Sequence, residues 1–165
     1  MAGNEVDDLR TTQFNIILKD LRIIFRAIQS HSRLVEKQSG LSSAQLWMLW
    51  ELFNSPGLKV SGLAKILSIH QSTCSNMLDK LEEKGLVYRD RSAPDQRVVL
   101  LYLTDRGTRL LATSPRPAQG ALSDALLRLP DSTLKDLGQG LSELVRALKT
   151  SDETASMTPI TEDQP

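Results

Sequence analysis

A mainly α-helical fold with one two-stranded β-hairpin is predicted by three observations. Apolar residues recur at helical spacing through most of the 165-residue chain. Residues 86–103 differ, because two strand-like runs there enclose a polar turn that contains a proline. Two short amphipathic segments with a tight turn between them come directly before these runs. The hairpin is therefore expected to follow a pair of closely spaced helices.

Composition favours one folded domain with at most a small appendage. Hydrophobic residues make up 40% of the chain, which is enough for a core and too many for a disordered protein. No apolar run approaches the roughly 18 residues of a membrane helix, and the acidic start lacks the apolar stretch of a secretory signal. We therefore expect a cytoplasmic protein with no membrane partner. The single cysteine, Cys74, excludes an internal disulfide framework.

Charge is unevenly distributed although the net charge is zero. Residues 9–150 hold all 20 basic residues and 13 of the acidic ones, a net charge of +7. The two ends, residues 1–8 and 151–165, hold seven acidic residues and no basic one. A basic body is the electrostatic minimum for contact with nucleic-acid phosphates. We expect residues 1–10 to form a flexible acidic N-terminus and residues 150–165 to form a disordered acidic tail.

The first helix is predicted within residues 11–40 and ends at Gly40. One face of it is apolar at helical spacing, and carries Phe14, Ile17, Leu18, Leu21, Ile24, Phe25 and Ile28. Ile16, Ile23 and Ala27 widen this face beyond what one neighbour covers. We therefore expect the helix to contact two partners, and a second subunit is a candidate for one of them.

Two shorter helices follow in the sequence. The first begins at Ser42, which has the spacing of a capping box with Gln45, and residues 54–57 end it. The second has Ser61 as its predicted N-cap and buries its apolar positions inward.

The next helix is predicted from a turn at residues 68–70 to Gly85, a residue type that suits the left-handed position after a helix. Cys74 lies in phase with its apolar positions, which predicts a small buried side chain; oxidation sensing at Cys74 is the alternative. The opposite face carries short polar side chains: Gln71, Ser72, Ser75 and Asn76. Such a face is either solvated or used for hydrogen bonds to a partner.

Two strands, Leu86–Arg91 and Arg97–Leu103, are predicted around the turn at residues 92–96. Thr104 is the predicted N-cap of the helix that follows. Pro115 and Pro117 then interrupt the helical pattern, and either kink one helix or separate two. A last apolar stripe runs along the final helix: Leu134, Leu137, Leu141, Leu144, Val145 and Leu148.

Residues 41–103 thus have the element order of a winged helix-turn-helix, a DNA-binding lobe. The major groove is about 12 Å wide and admits one helix, which must be apolar on one side and polar on the other. Arg97, near the hairpin turn, is a candidate for the adjacent minor groove, because a narrow minor groove attracts arginine. Arg89 and Arg91 alternate onto one face of the first strand, where they are candidates for phosphate contacts.

Residues 95–107, Asp-Gln-Arg-Val-Val-Leu-Leu-Tyr-Leu-Thr-Asp-Arg-Gly, resemble the wing signature of MarR-family regulators. Residues 78–87 also resemble the end of the family's recognition helix. The resemblance implies a dimer joined by its first and last helices, here residues 11–40 and 104–149. It also implies that Arg97 enters the minor groove, with Asp95 helping to position it. Pro115 and Pro117 depart from the family's uninterrupted penultimate helix.

The resemblance further implies repression of genes, relieved by a small phenolic or other lipophilic ligand bound between the dimer helices and the DNA-binding lobe. Trp47, Trp50 and His31 are the candidate ligand residues; two tryptophans at helical spacing are alternatively plain core. The two histidines and one cysteine offer no zinc-site spacing, so neither a metal nor a cofactor is expected.

The predicted function is that of a sequence-specific, homodimeric DNA-binding repressor acting at a pseudo-palindromic operator. A winged-helix module that binds proteins is the main alternative, and its exposed helix face would be more apolar than Gln, Ser, Ser and Asn. An enzyme is not expected, since the sequence contains no phosphate-cradling glycine loop, metalloprotease motif or nucleophile elbow.

Overall fold

The computed structural model describes residues 2–91, 98–148 and 157–160. In these residues the elements are α1 (Ala2–Ser39), α2 (Ser43–Asn54), α3 (Val60–Leu67), α4 (Gln71–Glu83), β1 (Val87–Asp90), β2 (Leu100–Leu103), α5 (Asp105–Thr113), α6 (Ala121–Leu127) and α7 (Asp131–Ala147). Strands β1 and β2 form one antiparallel sheet, with Val87 opposite Leu103. The predicted fold class, mainly α with a two-stranded wing, is confirmed.

The core is centred on α2, which contacts α1, α3, α4, α5 and β2. Fully buried leucines come from each layer around it: Leu46, Leu49, Leu63, Leu78, Leu81 and Leu101. Burying one such side chain contributes about 1.5–3 kcal/mol, so this cluster holds the two short helices and the hairpin together. The helix-turn-helix and the hairpin therefore form one packed lobe.

The base of the hairpin is reinforced by the segment that precedes α3. Gly57 donates its N–H to the Leu101 carbonyl at 2.9 Å, and Leu101 donates back to the Leu58 carbonyl at 3.0 Å. The rings of Tyr88 and Tyr102 stack across β1 and β2 with centroids 5.4 Å apart. The base of the wing is thus held on both sides of β2.

This pairing corrects the predicted start of α3. The helix begins at Val60 with Lys59 as N-cap, and Ser61 lies inside its first turn. Leu58 is drawn into an extended bridge with Leu101, and the chain turns into the helix directly afterwards. A tertiary contact therefore overrides the local preference of serine for the capping position.

Three other predicted helix ends, at Ser42, Gly85 and Thr104, are confirmed. Ser42 and Gln45 form both hydrogen bonds of the capping box. Gly85 has a φ of +66° directly after α4, and the Thr104 hydroxyl accepts from Gly107 N–H at 3.0 Å. Pro115 and Pro117 lie between α5 and α6, so they separate two helices.

Helix α1 is longer than predicted, because it begins at Ala2 and includes residues expected to be a flexible N-terminus. No proline interrupts residues 2–39, so the backbone hydrogen bonds of the helix continue to its amino end. The acidic composition of residues 1–10 therefore does not predict a flexible terminus here.

The apolar faces of α1 and α7 are largely uncovered in the single chain. Every residue of α7 is exposed, including Leu141 and Leu148. Phe14, Ile23 and Phe25 on α1 are each about half exposed or more. Folding of one chain thus leaves two long apolar stripes facing outward.

The expected disorder of residues 150–165 is wrong for a short part of that stretch. Met157–Ile160 lie against the helical lobe, and the Met157 carbonyl accepts a hydrogen bond from His70 N–H at 3.2 Å. The remainder, residues 150–156 and 161–165, lies outside the described residues. The contact arises because these four residues are uncharged and mostly apolar, unlike their acidic surroundings.

Candidate nucleic-acid interface

Helix α4 separates its polar and apolar residues as a groove-binding helix requires. Cys74, Leu78 and Leu81 are buried against the core. The predicted contact residues lie on the opposite side: Gln71, Ser72 and Asn76 are exposed, and Ser75 is half-buried. The structure thus brings these four together as a row of short donors and acceptors.

The turn between α3 and α4 fixes the position of this row. Ser68 adopts a left-handed conformation with φ of +53°, and the next residue, Ile69, is buried and donates its N–H to the Ala64 carbonyl at 3.0 Å. The Cys74 thiol adds a weak contact to the Val60 carbonyl at 3.8 Å. Helix α3 therefore packs on the buried side of α4.

The amino end of α4 is exposed at His70, its N-cap residue. The His70 side chain makes no capping hydrogen bond, so it does not satisfy the first N–H groups of the helix. Such groups, together with the helix dipole, form a general binding site for anions. The end of α4 has the chemistry to contact a phosphate.

Arg89 on β1 is held by two carboxylates of α4. Its guanidinium bonds Asp79 at 2.6 Å and also Glu82, and only 18% of the side chain is exposed. Burial opposes its charged form, but the bonds and charges of Asp79 and Glu82 raise the pKa of Arg89 overall. Arg89 therefore joins the wing to the recognition helix, and contact with a phosphate would require it to exchange these partners.

The remaining wing candidates differ in what the structure describes. Arg91 follows β1 and is exposed. Asp95 and Arg97 lie outside the described residues, so their placement in a minor groove stays a prediction. Strands β1 and β2 lie on the same side of the lobe as α4, since β1 contacts α4 directly.

A cleft lies beside this interface, between α1, α2, the α3–α4 turn and α6. It encloses about 320 Å³, within the range of small-molecule sites, and its walls are mostly apolar. Its lining includes Ile28, His31, Trp47, Leu67, Leu122 and Leu126. Two of the three predicted ligand residues, His31 and Trp47, therefore lie in one cavity.

Trp50 lies outside this cavity. Its ring stacks on Phe53 with centroids 6.3 Å apart, and the Arg116 guanidinium lies 4.3 Å above it. Trp47 points to the cleft and donates its indole N–H to Glu51 at 2.7 Å. Although Trp47 and Trp50 are only three residues apart on α2, one ring lies at the cleft and the other lies between Phe53 and Arg116.

His31 is the polar group of the cleft whose bonding is incomplete. Its ring bonds the backbone of Pro117, which has only a carbonyl to offer, so the imidazole donates. Its Nε2 is buried and has no partner among the described residues. Burial lowers the pKa of His31, against the smaller raising effect of the Pro117 bond. The neutral imidazole therefore presents an acceptor at the cleft.

Cys74 is confirmed as a buried side chain, with 0% exposure. Burial raises the pKa of its thiol to about 11, and the nearby charge of Arg89 offsets this only in part. Reactive thiols need exposure and a low pKa. The geometry thus argues against oxidation sensing at this residue.

Metal-binding clusters and membrane-spanning helices are both absent from the described residues. In the part of the chain that the structure describes, no three His, Cys, Asp or Glu side chains are grouped so that they could hold a metal ion. Among the same residues, no helix is long and apolar enough to cross a lipid bilayer.

Two groups of site residues were missed from the sequence. No role is predicted for Asp79 and Glu82 from the sequence, yet their spacing of three on α4 places both on Arg89. Gly107 packs so closely on the wing that an added Cβ would lie 2.1 Å from the Leu86 carbonyl oxygen. The sequence signal for Asp79 and Glu82 is their spacing of three on a helix, followed by an arginine on the next strand.

The comparisons with known proteins agree with this geometry. The family model for the MarR family matches residues 41–99. A putative transcriptional regulatory protein for the hcr operon of Thauera aromatica is 30% identical over 128 residues, which cover 78% of this chain and 75% of that protein. The transcriptional repressor MdtR of Bacillus subtilis is 36% identical over 87 residues, which cover 53% of this chain and 56% of that protein.

A solved structure supports the fold over a longer stretch. Sco3205, a MarR-family transcriptional regulator from Streptomyces coelicolor crystallised in complex with DNA, superimposes with a TM-score of 0.59 at 24% identity. The match covers 86% of this chain and 91% of that one, and shows the shared winged-helix fold. The chain therefore belongs to the MarR family of transcriptional regulators, which are DNA-binding proteins and not enzymes.

Proposed function

We propose that this protein is a homodimeric, cytoplasmic repressor that binds a pseudo-palindromic DNA site and releases it when a small lipophilic acid or phenol occupies the cleft. The observation that carries the proposal is the polar row of α4, outward-facing beside the wing and backed by a buried apolar face. Two comparisons support it, since MdtR is described as a repressor and Sco3205 was crystallised with DNA.

Base reading is assigned to the polar row and backbone contact to the cations. Gln71 and Asn76 carry amides, which pair with adenine at two points in the major groove. Arg91 is exposed at the start of the wing turn, where it suits a phosphate. Arg97 and Asp95 keep their proposed wing roles, with Arg97 in the minor groove.

A dimer is proposed because of the uncovered stripes of α1 and α7. Exposed apolar patches of this extent mark interaction surfaces in soluble proteins. The stripe on α7 repeats every three or four residues, as in helices that pack against a partner: Leu134, Leu137, Leu141, Leu144 and Leu148. A second copy offers the same stripe, so a two-fold arrangement covers both at once.

The ligand class follows from the chemistry of the cleft. Its walls are apolar, and the buried Nε2 of His31 accepts a hydrogen bond. A phenol or a protonated carboxylic acid supplies the missing donor, while its ring packs on Trp47. The cleft joins α1 to the α3–α4 turn, so an occupant changes how α4 sits relative to the long helices.

The DNA-binding proposal is tested with duplexes selected by the protein from a random pool. We expect enrichment of pseudo-palindromes. Asn76→Ala should reduce discrimination at one base pair per half-site by about 1–3 kcal/mol.

Arg91→Ala should weaken binding to all sequences. It should also reduce the slope of the logarithm of the DNA-binding constant against the logarithm of salt concentration by about one unit per subunit.

Lys135→Ala, which removes an equally exposed cation from α7, is the matched control and should change neither quantity. If the pool yields no enriched site, the proposal of sequence-specific DNA binding is wrong. A protein that then captures no duplex even at low salt would favour the protein-interaction alternative.

A further inference from the structure

A segment of this chain, Met157–Ile160, forms part of the wall of the cleft beside the interface. Thr158, Pro159 and Ile160 line the cavity that contains His31 and Trp47. Thr158 and Pro159 also line a second cavity of about 530 Å³ that extends toward α4. The two cavities thus meet at these residues, which lie along a single groove between α1, α2 and the helix-turn-helix.

A main-chain hydrogen bond joins this segment to the recognition helix. The Met157 carbonyl accepts the N–H of His70, the N-cap residue of α4, at 3.2 Å. The bond depends on no side chain, so it fixes the segment by its backbone. One end of the segment therefore contacts the DNA-reading element, and the other end lies in the cleft.

The sequence of the segment suits this groove. Met157–Ile160 carry no charge, whereas acidic residues stand on both sides in the sequence: Asp152, Glu153, Glu162 and Asp163. Pro159 lacks an N–H and has a restricted backbone, which lowers the entropy lost when an extended segment binds. An apolar four-residue stretch within an acidic tail is therefore matched to an apolar groove.

We propose that Met157–Ile160 is an intramolecular ligand of the cleft, which competes with small lipophilic ligands and couples the state of the cleft to the amino end of α4. This inference rests on the proposed function in one respect, namely that the cleft admits a small ligand. A ligand that needs more than the remaining space of about 320 Å³ displaces the segment from the cleft. The Met157 carbonyl then releases His70 N–H.

Two shortened forms isolate the four residues. One form ends at Ile160 and the other ends at Ser156, so both lack Glu162 and Asp163 and differ only in an uncharged stretch. The probe is 8-anilinonaphthalene-1-sulfonate, a fluorescent aromatic acid, titrated into both forms and into the full chain. We expect the Kd of the probe to be about threefold lower for the form ending at Ser156 than for the form ending at Ile160. A segment that occupies its place in the cleft about two thirds of the time leaves one third of the molecules free to bind, which gives this factor.

A synthetic peptide with the sequence of residues 156–161 should raise the Kd of the Ser156 form and leave that of the Ile160 form nearly unchanged. The His70 amide, followed by NMR hydrogen exchange, should lose protection only in the Ser156 form. Equal probe affinity in the two forms, or equal protection of His70, overturns the proposal.

Binding to the selected duplex is measured on the same samples. Failure of every form to bind DNA would contradict the proposed function, yet the probe and exchange results would still decide whether the segment occupies the cleft. Thermal unfolding of both forms checks that the core, which the segment does not complete, is intact.

Discussion

His31 shows how one side chain links the cleft to pH. Its imidazole donates to Pro117 and keeps a buried, unpartnered Nε2, and burial lowers its pKa below the ordinary value of 6.5. Between the two pKa values the unfolded chain binds more protons than the folded one, so stability falls as the pH decreases through that window. Above the pKa of the unfolded chain, His31 is neutral in both states and no longer reduces the stability of the fold.

His31→Gln tests this linkage, because glutamine keeps a donor for Pro117 and does not titrate. We expect the free energy of unfolding of the original protein to decline between about pH 7 and pH 5 more steeply than that of the variant. Urea denaturation at several pH values measures the difference. Identical slopes would show that His31 has the same pKa in the folded protein and in the unfolded chain.

Cys74 gives a second prediction at the level of a single side chain. Because its pKa is raised from 9.0 to about 11, the thiolate fraction at pH 8 falls about a hundredfold, and burial blocks access as well. A thiol reagent such as 5,5′-dithiobis(2-nitrobenzoate) should leave the native protein unmodified and react with one equivalent in denaturant. Rapid modification of the native form would reopen oxidation sensing.

At the scale of elements, the contact of α5 with the wing depends on a missing side chain. Thr104 begins α5 and bonds both Gly107 N–H and the Gly85 carbonyl, so the helix lies directly on the chain that leaves α4. Gly107 is buried there, close to the Leu86 carbonyl. A side chain at this position would push α5 away from the hairpin.

Gly107→Ala should therefore destabilise the protein by about 1–3 kcal/mol or more, as for an overpacked core. Gly140→Ala is the matched control, since no described atom lies within 4 Å of its added Cβ. That change should be neutral or stabilising by up to about 1 kcal/mol, because alanine favours the helix. Chemical denaturation of both variants provides the comparison, and a stable Gly107→Ala protein would contradict the close approach.

Local signals predicted most element boundaries, and tertiary contacts explain the exceptions. The capping box at Ser42 and the turn at Gly85 involve neighbours in sequence, and both were predicted. The start of α3 and the role of Arg89 depend on Leu101 and on the Asp79–Glu82 pair, which only the folded lobe brings near. Periodicity alone cannot reveal such partners, nor the docking of Met157 on His70.

At the scale of the whole molecule, α1 and α7 carry apolar stripes that one chain leaves uncovered. Leu141 is 43% exposed at the middle of the α7 stripe, and Leu148 near its end is 65% exposed. The polar row of α4 and the uncovered stripes of α1 and α7 are therefore separate surfaces, and we propose that the stripes face a second copy.

Leu141→Glu should dissociate the proposed dimer, because it places a charge at the centre of an apolar interface. Light scattering should report one chain per particle, and affinity for the selected duplex should fall by at least about tenfold as the second half-site contact is lost. Gln139→Glu adds the same charge on the opposite side of α7 and should remain dimeric. An unchanged mass for Leu141→Glu would exclude this stripe as the interface.

The placement of the two tyrosines and two tryptophans has a practical consequence. The two tyrosines stack together at the base of the hairpin, and of the two tryptophans one faces the cleft while the other lies under a guanidinium. Tyrosine absorbance therefore responds to movements at the base of the wing, and tryptophan emission responds to events at the cleft through Trp47. Both processes can be followed in the unlabelled protein, in a single cuvette and at the same time.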